Sequence, residues 1–537
     1  MVKLRSKFTL GNVFVLFVFI FFGSSFSPPL LIIEEWVRTF MEGDSSGNMG
    51  LDIAADAQGN SYSVGYTVGG NLDGAVVLKH MADGTLDWSR VGNTNMVLAY
   101  KVHLDAAGDI FVIGFGDNEL LVDKYDDSGN LLWESTSVPA YHWNTIGDEH
   151  IDIHFPDDGY FYVTCKSWGI ESDFLAVKYN ASTGNIEWSQ NYNNAAYNNS
   201  WDVAKAISTD EDGNVYVAGD AQFGFSSDGV ALLKYDPAGN LLWEKHWNNN
   251  GDCVVEDMEI FDNSIYLGGH LNFDYALWKF DMQGDFISIS THDFEVDWDF
   301  VNAMAFDTTN AVIYLAGSCI VDGGNHFNCG LVKFDTSGAF LWAQQYNGNE
   351  NSNDAFLDII LDSEGSVYVT GKAANSNVTN ITTLKYDLDG NLQWEIAYEF
   401  AYGRGKGLTL GPENNVYVTG FNTPGPSSLF TTIKYSQSPV GIQDNGVGIK
   451  DDFILHQNYP NPFSYSTNIN FHIPSYEKVK ISISNLTGKI IKTLINENLQ
   501  KGEYNIEFNP SGLQNGIYLY TIETPTQSIT KRMILKK

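Results

Sequence analysis

The sequence predicts an all-β chain, an eight-bladed β-propeller followed by a small Ig-like β-sandwich. Three observations carry that prediction. The pentapeptide GNLLW stands at 129–133 and again at 239–243, with relatives GNLQW (390–394), GNIEW (184–188), GAFLW (338–342) and GTLDW (84–88). Each copy closes a unit of about 45–55 residues in which four short Val/Ile/Tyr/Phe-rich runs alternate with Asp, Gly and Asn turns, the pattern of a propeller blade. After residue 436 the repeat stops and a different alternating pattern begins.

Taken in order, the chain opens on Lys3, Arg5 and Lys7, then VFVLFVFIFF (13–22) and GSS (23–25). A basic start, an apolar core too short to span a bilayer comfortably, and small residues for cleavage predict a secretory signal peptide over 1–25. No other apolar run approaches the length of a membrane span, so the mature chain is expected to be exported and without a transmembrane segment. With 66 Asp+Glu against 30 Lys+Arg, a net charge of −36, the chain lacks the basic face that a phosphate backbone requires, which argues against nucleic acid as a partner.

The propeller is expected over 30–436. Its fourth unit reads DVAKAISTD (202–210), GNVYVAGD (213–220), GVALLKYD (229–236) and GNLLWEKHW (239–247); its seventh reads AFLDIILD, GSVYVTG, ITTLKYD and GNLQWEI. In DPAGNLLW the glycine makes a tight reversal and the tryptophan offers a flat face to a neighbouring blade or turn. A blade cannot bury both faces alone, so the same device must recur around the ring. Eight inner strands are countable: MGLDIAAD, LAYKVHLD, EHIDIHF, DVAKAIST, VEDMEIF, VNAMAFD, AFLDIILD and GKGLTLG. The fifth unit has Ser288 where the others have tryptophan, and merging it would leave seven blades. The last unit ends at TTIKYS (431–436) without an outer strand, and LLIIEEWVRTF (30–40) is available to supply it, closing the ring and removing two exposed edges.

Four cysteines show no C-x-x-C spacing, which argues against zinc. Export permits disulfides, and Cys319 and Cys329, flanking the apparent loop IVDGGNHFN, are the expected pair; Cys165 in YFYVTC reads as a buried thiol.

Aligning the repeats places Asp148, Asp202, Asp299 and Asp354 at one equivalent position just before an inner strand, with Asn48 there in the first unit. These side chains should ring one mouth of the central channel, either capping their own loops through backbone N–H groups or forming a cation or sugar-hydroxyl site. HIDIH puts His150, Asp152 and His154 on one strand face by the period of two, residue types that suit a metal or ordinary hydrogen bonding. DEDGN (210–214) and DLDGN (387–391) lack the distal carboxylate of a calcium loop and read as turns. No nucleophile elbow, P-loop or H-E-x-x-H occurs, no catalytic residue is assigned, and no cofactor is expected; a cation at the Asp ring would be calcium.

The pieces AISTDEDGNVYVAGDA…DGVALLKYDPAGNLLW resemble secreted bacterial β-propeller repeats of the SBBP type, a likeness that implies fold and says little of function. KYNASTGNIEW (178–188) also resembles the tryptophan-docking repeat of the eight-bladed pyrroloquinoline-quinone dehydrogenases, which reads as shared blade engineering, since no adjacent cysteine pair accompanies it.

A loose linker (437–454) leads to NYPNPF (458–463), LTGKIIKTL (486–494), GEYNIEFNPSGLQNGIYLY (502–520) and a basic terminal strand. Residues 451–537 hold nine Lys/Arg against seven Asp/Glu, so the propeller carries the acidity. Over 455–537 these features resemble the type A sorting domain of the type IX secretion system. The resemblance implies the secretion machinery as a partner, passage through the periplasm and across a Gram-negative outer membrane, and release or surface anchoring. The expected role is a monomeric, non-enzymatic propeller binding glycan, protein or matrix through its rim loops. The alternative is a glycan-active hydrolase or lyase at the channel mouth, using the Asp ring as acid and base.

Overall fold

The computed structural model describes the chain apart from residues 1–29, 43–46, 70–72, 93, 136–137, 141–149, 157, 168–172, 194–201, 223–227, 249–250, 295–297, 321–325, 349–351, 376–377, 399–401, 440–453, 456–457, 459–462, 464, 474–475, 486–488, 515, 525–527 and 537. The signal-peptide reading and Asp148 therefore lie outside the described residues. Two compact units are present, Pro28–Val440 and a second one ending at Lys537.

In the first unit the strands form four-stranded antiparallel meanders that, apart from the closing sheet, follow chain order from an inner to an outer strand. The fourth runs Val203–Thr209, Val215–Gln222, Asp228–Tyr235 and Leu241–Trp247. The second differs: its outer edge is divided between Leu131–Glu134 and Val138–Pro139, which pair with opposite ends of Glu119–Tyr125. Each inner strand touches the next in cyclic order, from Gly47–Ala55 through Tyr402–Leu410 and back. Closure is as expected. Leu30–Phe40 runs antiparallel to Leu429–Pro439, from Leu30 opposite Pro439 to Phe40 opposite Phe430.

The repeated pentapeptide now has a physical role. Gly129 and Gly239 adopt φ of 74° and 85°, and a Cβ there would stand 2.7 Å from the rings of Trp88 and Trp188 in the preceding sheet. The tryptophan of one sheet thus lies on the turn of the next. In several of the sheets its indole N–H and the lysine directly opposite it on the adjacent strand converge on one carbonyl of that turn, as Trp188 and Lys178 do on Pro237 O (3.2 and 3.3 Å) and Trp342 and Lys333 on Leu388 O (3.1 and 2.8 Å). The lysine stem is buried over a tyrosine of its own sheet, as Lys333 over Tyr314 at 5.1 Å, so the cation also meets a ring face. Where Ser288 replaces tryptophan, Lys279 keeps its bond to Thr336 O and Tyr266 Oη supplies the second donor, both at 3.0 Å.

Cys319 and Cys329 are not bridged, which corrects the disulfide expectation. Both lie within paired strands rather than at loop ends, with Cys329 opposite Ser318 and Cys319 opposite Asn328. A one-residue offset turns the two side chains to opposite faces of the sheet. Cys319 packs among Tyr275, Leu315 and Val332, and Cys329 among Tyr314, Leu331 and Phe356.

The second unit holds a three-stranded and a four-stranded antiparallel sheet around a shared apolar core including Ile469, Phe471, Ile481, Ile483, Phe508 and Tyr520. Asn458, in NYPNPF, is buried; its backbone N–H donates to Tyr520 Oη at 2.8 Å and its Nδ2 to Thr467 Oγ1 at 2.9 Å.

Candidate functional site

The rim position aligned from the sequence sits at the start of the inner strands. Asp299 and Asp354 use both carboxylate oxygens on backbone N–H groups. Asp299 accepts from Phe294 (3.0 Å) and Ile320 (3.2 Å), and Asp354 from Gly348 (2.8 Å) and Ala374 (2.9 Å). Their own N–H groups donate to Phe273 O and Phe327 O in the hairpin of the preceding sheet, each at 2.7 Å. Asn48 does the equivalent work at the closure, accepting from Thr67 Oγ1 at 2.9 Å and donating to Ser428 O at 2.8 Å. Asp202 is fully buried beside its strand. Burial raises Asp299 to about 6 and raises Asp354 as well. Asn48, Asp299 and Asp354 hold loops, and they hold them one per sheet.

His150, Asp152 and His154 do share a strand side, as the period of two requires, but they do not converge on a common point. Each meets a different residue of the next inner strand. Lys205 Nζ lies 2.7 Å from His150 Nε2, Ile207 N–H donates to Asp152 Oδ2 at 2.9 Å, and Thr209 Oγ1 lies 3.0 Å from His154 Nε2. Among the described residues no group of three His, Cys, Asp or Glu is placed to hold a metal ion. The metal reading of this face is corrected accordingly: the side chains run parallel to the neighbouring strand and are separately engaged by it.

Asp152 belongs to a recurring set of mid-strand carboxylates beyond the rim position. Asp52 Oδ2 accepts from Val102 N–H (2.9 Å) and Asp358 Oδ2 from Leu408 N–H (2.6 Å), in each case one sheet further round. Its signal was present: an Asp between apolar neighbours recurs mid-strand in LDI (51–53), IDI (151–153) and LDI (357–359), with EDM (256–258) as a variant that has Glu256 in place of the first apolar residue. Most inner strands carry a β-bulge at this level, as between Gly50 and Asp52 or Phe356 and Asp358, which turns an extra side chain inward.

Inside the ring these carboxylates face Lys101. Burial disfavours its charge, yet Asp52, Asp152, Asp358 and Asp257 together raise its pKa. Burial pushes Asp257 well above the ordinary carboxylate range, and the nearby charge of Asp152 pushes it further. Burial likewise lifts Asp358 and Glu259 to about 7. Beside them Lys205 lies 3.3 Å from Glu256, whose carboxyl burial raises, and His150 is held neutral by burial and by the Lys205 charge. The channel is therefore packed with carboxyl groups in excess of cations, several of them carrying protons near neutrality.

Comparison with known proteins adds a second kind of evidence. Residues 457–536 match the family of secretion system C-terminal sorting domains, and residues 116–325 match a family described as outer membrane protein assembly factor BamB. No curated protein matches the chain in sequence. Among solved structures, the quinohemoprotein alcohol dehydrogenase of Comamonas testosteroni is similar at 10% identity, over 75% of this chain and 76% of that one, with a TM-score of 0.46. PorZ, a surface component of the type IX secretion system of Porphyromonas gingivalis, is similar at 12% identity over 93% and 75%, with a TM-score of 0.38. The Dos1 propeller is similar at 12% identity over 76% and 95%, with a TM-score of 0.45. Likenesses this distant carry no argument about activity. With the family match and the sheet architecture together, residues 457–536 are a type IX sorting domain, and the chain is a β-propeller protein that is secreted or displayed at the outer-membrane surface.

Proposed function

We propose that this protein is a non-enzymatic binding module, a closed eight-bladed propeller over 30–436 delivered by the type IX machinery. Residues 1–25 act as signal peptide, 437–454 as linker and 455–537 as an Ig-like sorting sandwich. The observation that carries the reading is the sorting domain joined to a ring of repeated sheets whose rim carboxylates are engaged in holding loops. Such a rim is a rigid frame for loops that contact a ligand outside the cell, either glycan, protein or matrix. The cyclic contacts of the inner strands and the pairing of 30–40 with 429–439 support the blade count.

The hydrolase or lyase alternative needs two carboxyl groups facing a substrate across roughly 5–9.5 Å. Asp299 and Asp354 instead direct both oxygens at backbone N–H groups, so that reading has less support. The test is to screen the protein purified from culture medium or cell surface on glycan and matrix-protein arrays, with bound glycans recovered and sized. Retention of intact ligand is expected. Shortened or unsaturated glycan products would overturn the binding reading.

A further inference from the structure

One part of the loop-bearing face differs from the rest. Among the described residues, Trp298 is the only tryptophan more than a third exposed, at 51%. Its ring lies flat against Phe273, with centroids 4.7 Å apart and planes 10° apart, while Phe300 meets both rings edge-on and Phe327 packs behind Phe300. The platform is built at a cost. Asn272 and Phe273 form the two-residue turn between Ser264–Leu271 and Asp274–Asp281 with φ of 51° and 70°, and the second position of such a turn ordinarily goes to glycine. A phenylalanine held there is strained, and the strain lays its ring beneath the indole. The buried Asp299 next to Trp298, with its N–H on Phe273 O and its carboxylate on two further N–H groups, fixes both halves.

Charge selects the occupant. Asp274 adjoins Phe273, and Asp293 and Asp299 stand on the segment that delivers Trp298. Burial first, then the charge of Asp293, raises Asp274, and both neighbours add to the burial that raises Asp299. Asp299 is committed to the backbone, so Asp274 and the exposed Asp293, near enough to repel one another, are the carboxyl groups that present charge to a ligand beside the exposed indole face, on a protein of net charge −36. A flat cation satisfies both features, stacking on the indole while it neutralises the carboxylates. A neutral sugar would use only the ring.

Resting on the binding reading above, we propose that the Trp298–Phe273 platform with Asp274 is a recognition site for arginine-bearing segments of a partner protein. The test measures binding of an acetylated, amidated hexaarginine peptide to the full secreted protein by titration calorimetry, with neutral chitohexaose as the comparison ligand. Trp298→Ala should weaken hexaarginine binding by about tenfold or more while leaving the melting temperature unchanged, and Trp298→Phe should restore part of it. Asp274→Asn should weaken it several-fold and flatten its salt dependence. Hexaarginine affinity unchanged by Trp298→Ala would overturn the proposal, because the peptide would then be reading only the general acidity of the surface. Trp298-dependent binding of chitohexaose without Trp298-dependent binding of hexaarginine would also overturn it, in favour of a glycan, and would leave the binding function standing.

Discussion

Trp36 and Lys434, from the two ends of the propeller segment, donate to the same carbonyl oxygen, that of Ala82, at 3.1 and 3.0 Å. This is the same joint by which Trp88 and Lys79, Trp188 and Lys178, and Trp342 and Lys333 are tied to the next turn, here assembled from two distant stretches of chain. The indole also lies on Gly84, as Trp188 lies on Gly239. Closure therefore repeats the internal interface, and the ring has no special seam except in the order of its covalent bonds.

That equivalence predicts the cost of breaking it. Trp36→Ala removes a buried indole and should destabilise the protein by about 3–5 kcal/mol, as for other buried aromatic truncations. Lys434→Ala should cost less, since Trp36 keeps the carbonyl of Ala82 satisfied. Urea titration checks both, and hydrogen exchange should show the first loss of protection in 30–40 and 429–439. A Trp36→Ala protein as stable as the parent would mean that the closing strand contributes little.

The channel predicts a dependence on pH. Asp358 and Glu259 have folded pKa values near 7, above their unfolded values near 4, and Asp257 is raised further. Between those values the folded state binds more protons than the unfolded one, so their contribution to stability falls as pH rises from about 4 to 7. Asp257→Asn should flatten this slope and raise stability at pH 7.5 by about 1–3 kcal/mol. Urea midpoints at pH 5 and 7.5 decide the matter, and an unchanged slope in the variant would refute it.

Lys101 gives the converse case. Lys101→Met leaves Asp52, Asp152, Asp257 and Asp358 without their shared cation, and removing one partner of a buried charge group typically costs about 3–5 kcal/mol. The loss should be largest at pH 7.5 and shrink toward pH 5 as the carboxyls take up protons. Equal destabilisation at both pH values would point to packing by the lysine stem instead.

The difference in what could be read from the sequence has a physical cause. Blade strands and turns were legible because local patterns encode them: alternation, D-x-x-G-N reversals, and a tryptophan at fixed distance. The closure was legible because Leu30–Phe40 is a strand with no other partner and TTIKYS lacks one. The disulfide expectation treats IVDGGNHFN as loop throughout, whereas Ile320, Phe327 and Asn328 already belong to paired strands, so Cys329 sits inside a register that no sequence pattern announces. His150, Asp152 and His154 were placed on the right side of their strand, but what that side meets is the neighbouring inner strand, a long-range relation. The bulges that aim Asp52 and Asp358 across the sheets depend on curvature around a ring, and period-two reasoning assumes an unbroken strand.

Export makes a prediction independent of the propeller. Deleting 455–537 removes the sorting domain, whose core is made from its own residues, from Leu455 to Leu535. The truncated protein should accumulate folded in the periplasm of a host with the type IX machinery, while the full chain reaches the surface or medium. Fractionation with protease accessibility distinguishes the two, and normal secretion of the truncated chain would remove the address from these residues.

The rim carboxylates separate capping from cation binding most sharply. Asp299 and Asp354 each accept two backbone N–H bonds, at 3.0 and 3.2 Å and at 2.8 and 2.9 Å. If that is their whole role, Asp299→Ala and Asp354→Ala should each cost about 1–2 kcal/mol, as loss of a side-chain cap does elsewhere. The costs should add in the double variant, because the sites serve different sheets and share no partner. A shared cation would behave differently: calcium would raise the melting temperature, chelator would lower it, and either substitution alone would abolish most of the gain. The geometry favours additivity and no calcium effect, since an oxygen already accepting an N–H bond toward the protein is poorly placed to turn toward an ion at the mouth. Thermal melts of the parent and the three variants, with calcium and with chelator, decide between them. A calcium shift of several degrees that Asp354→Ala removes would make this mouth a metal site after all.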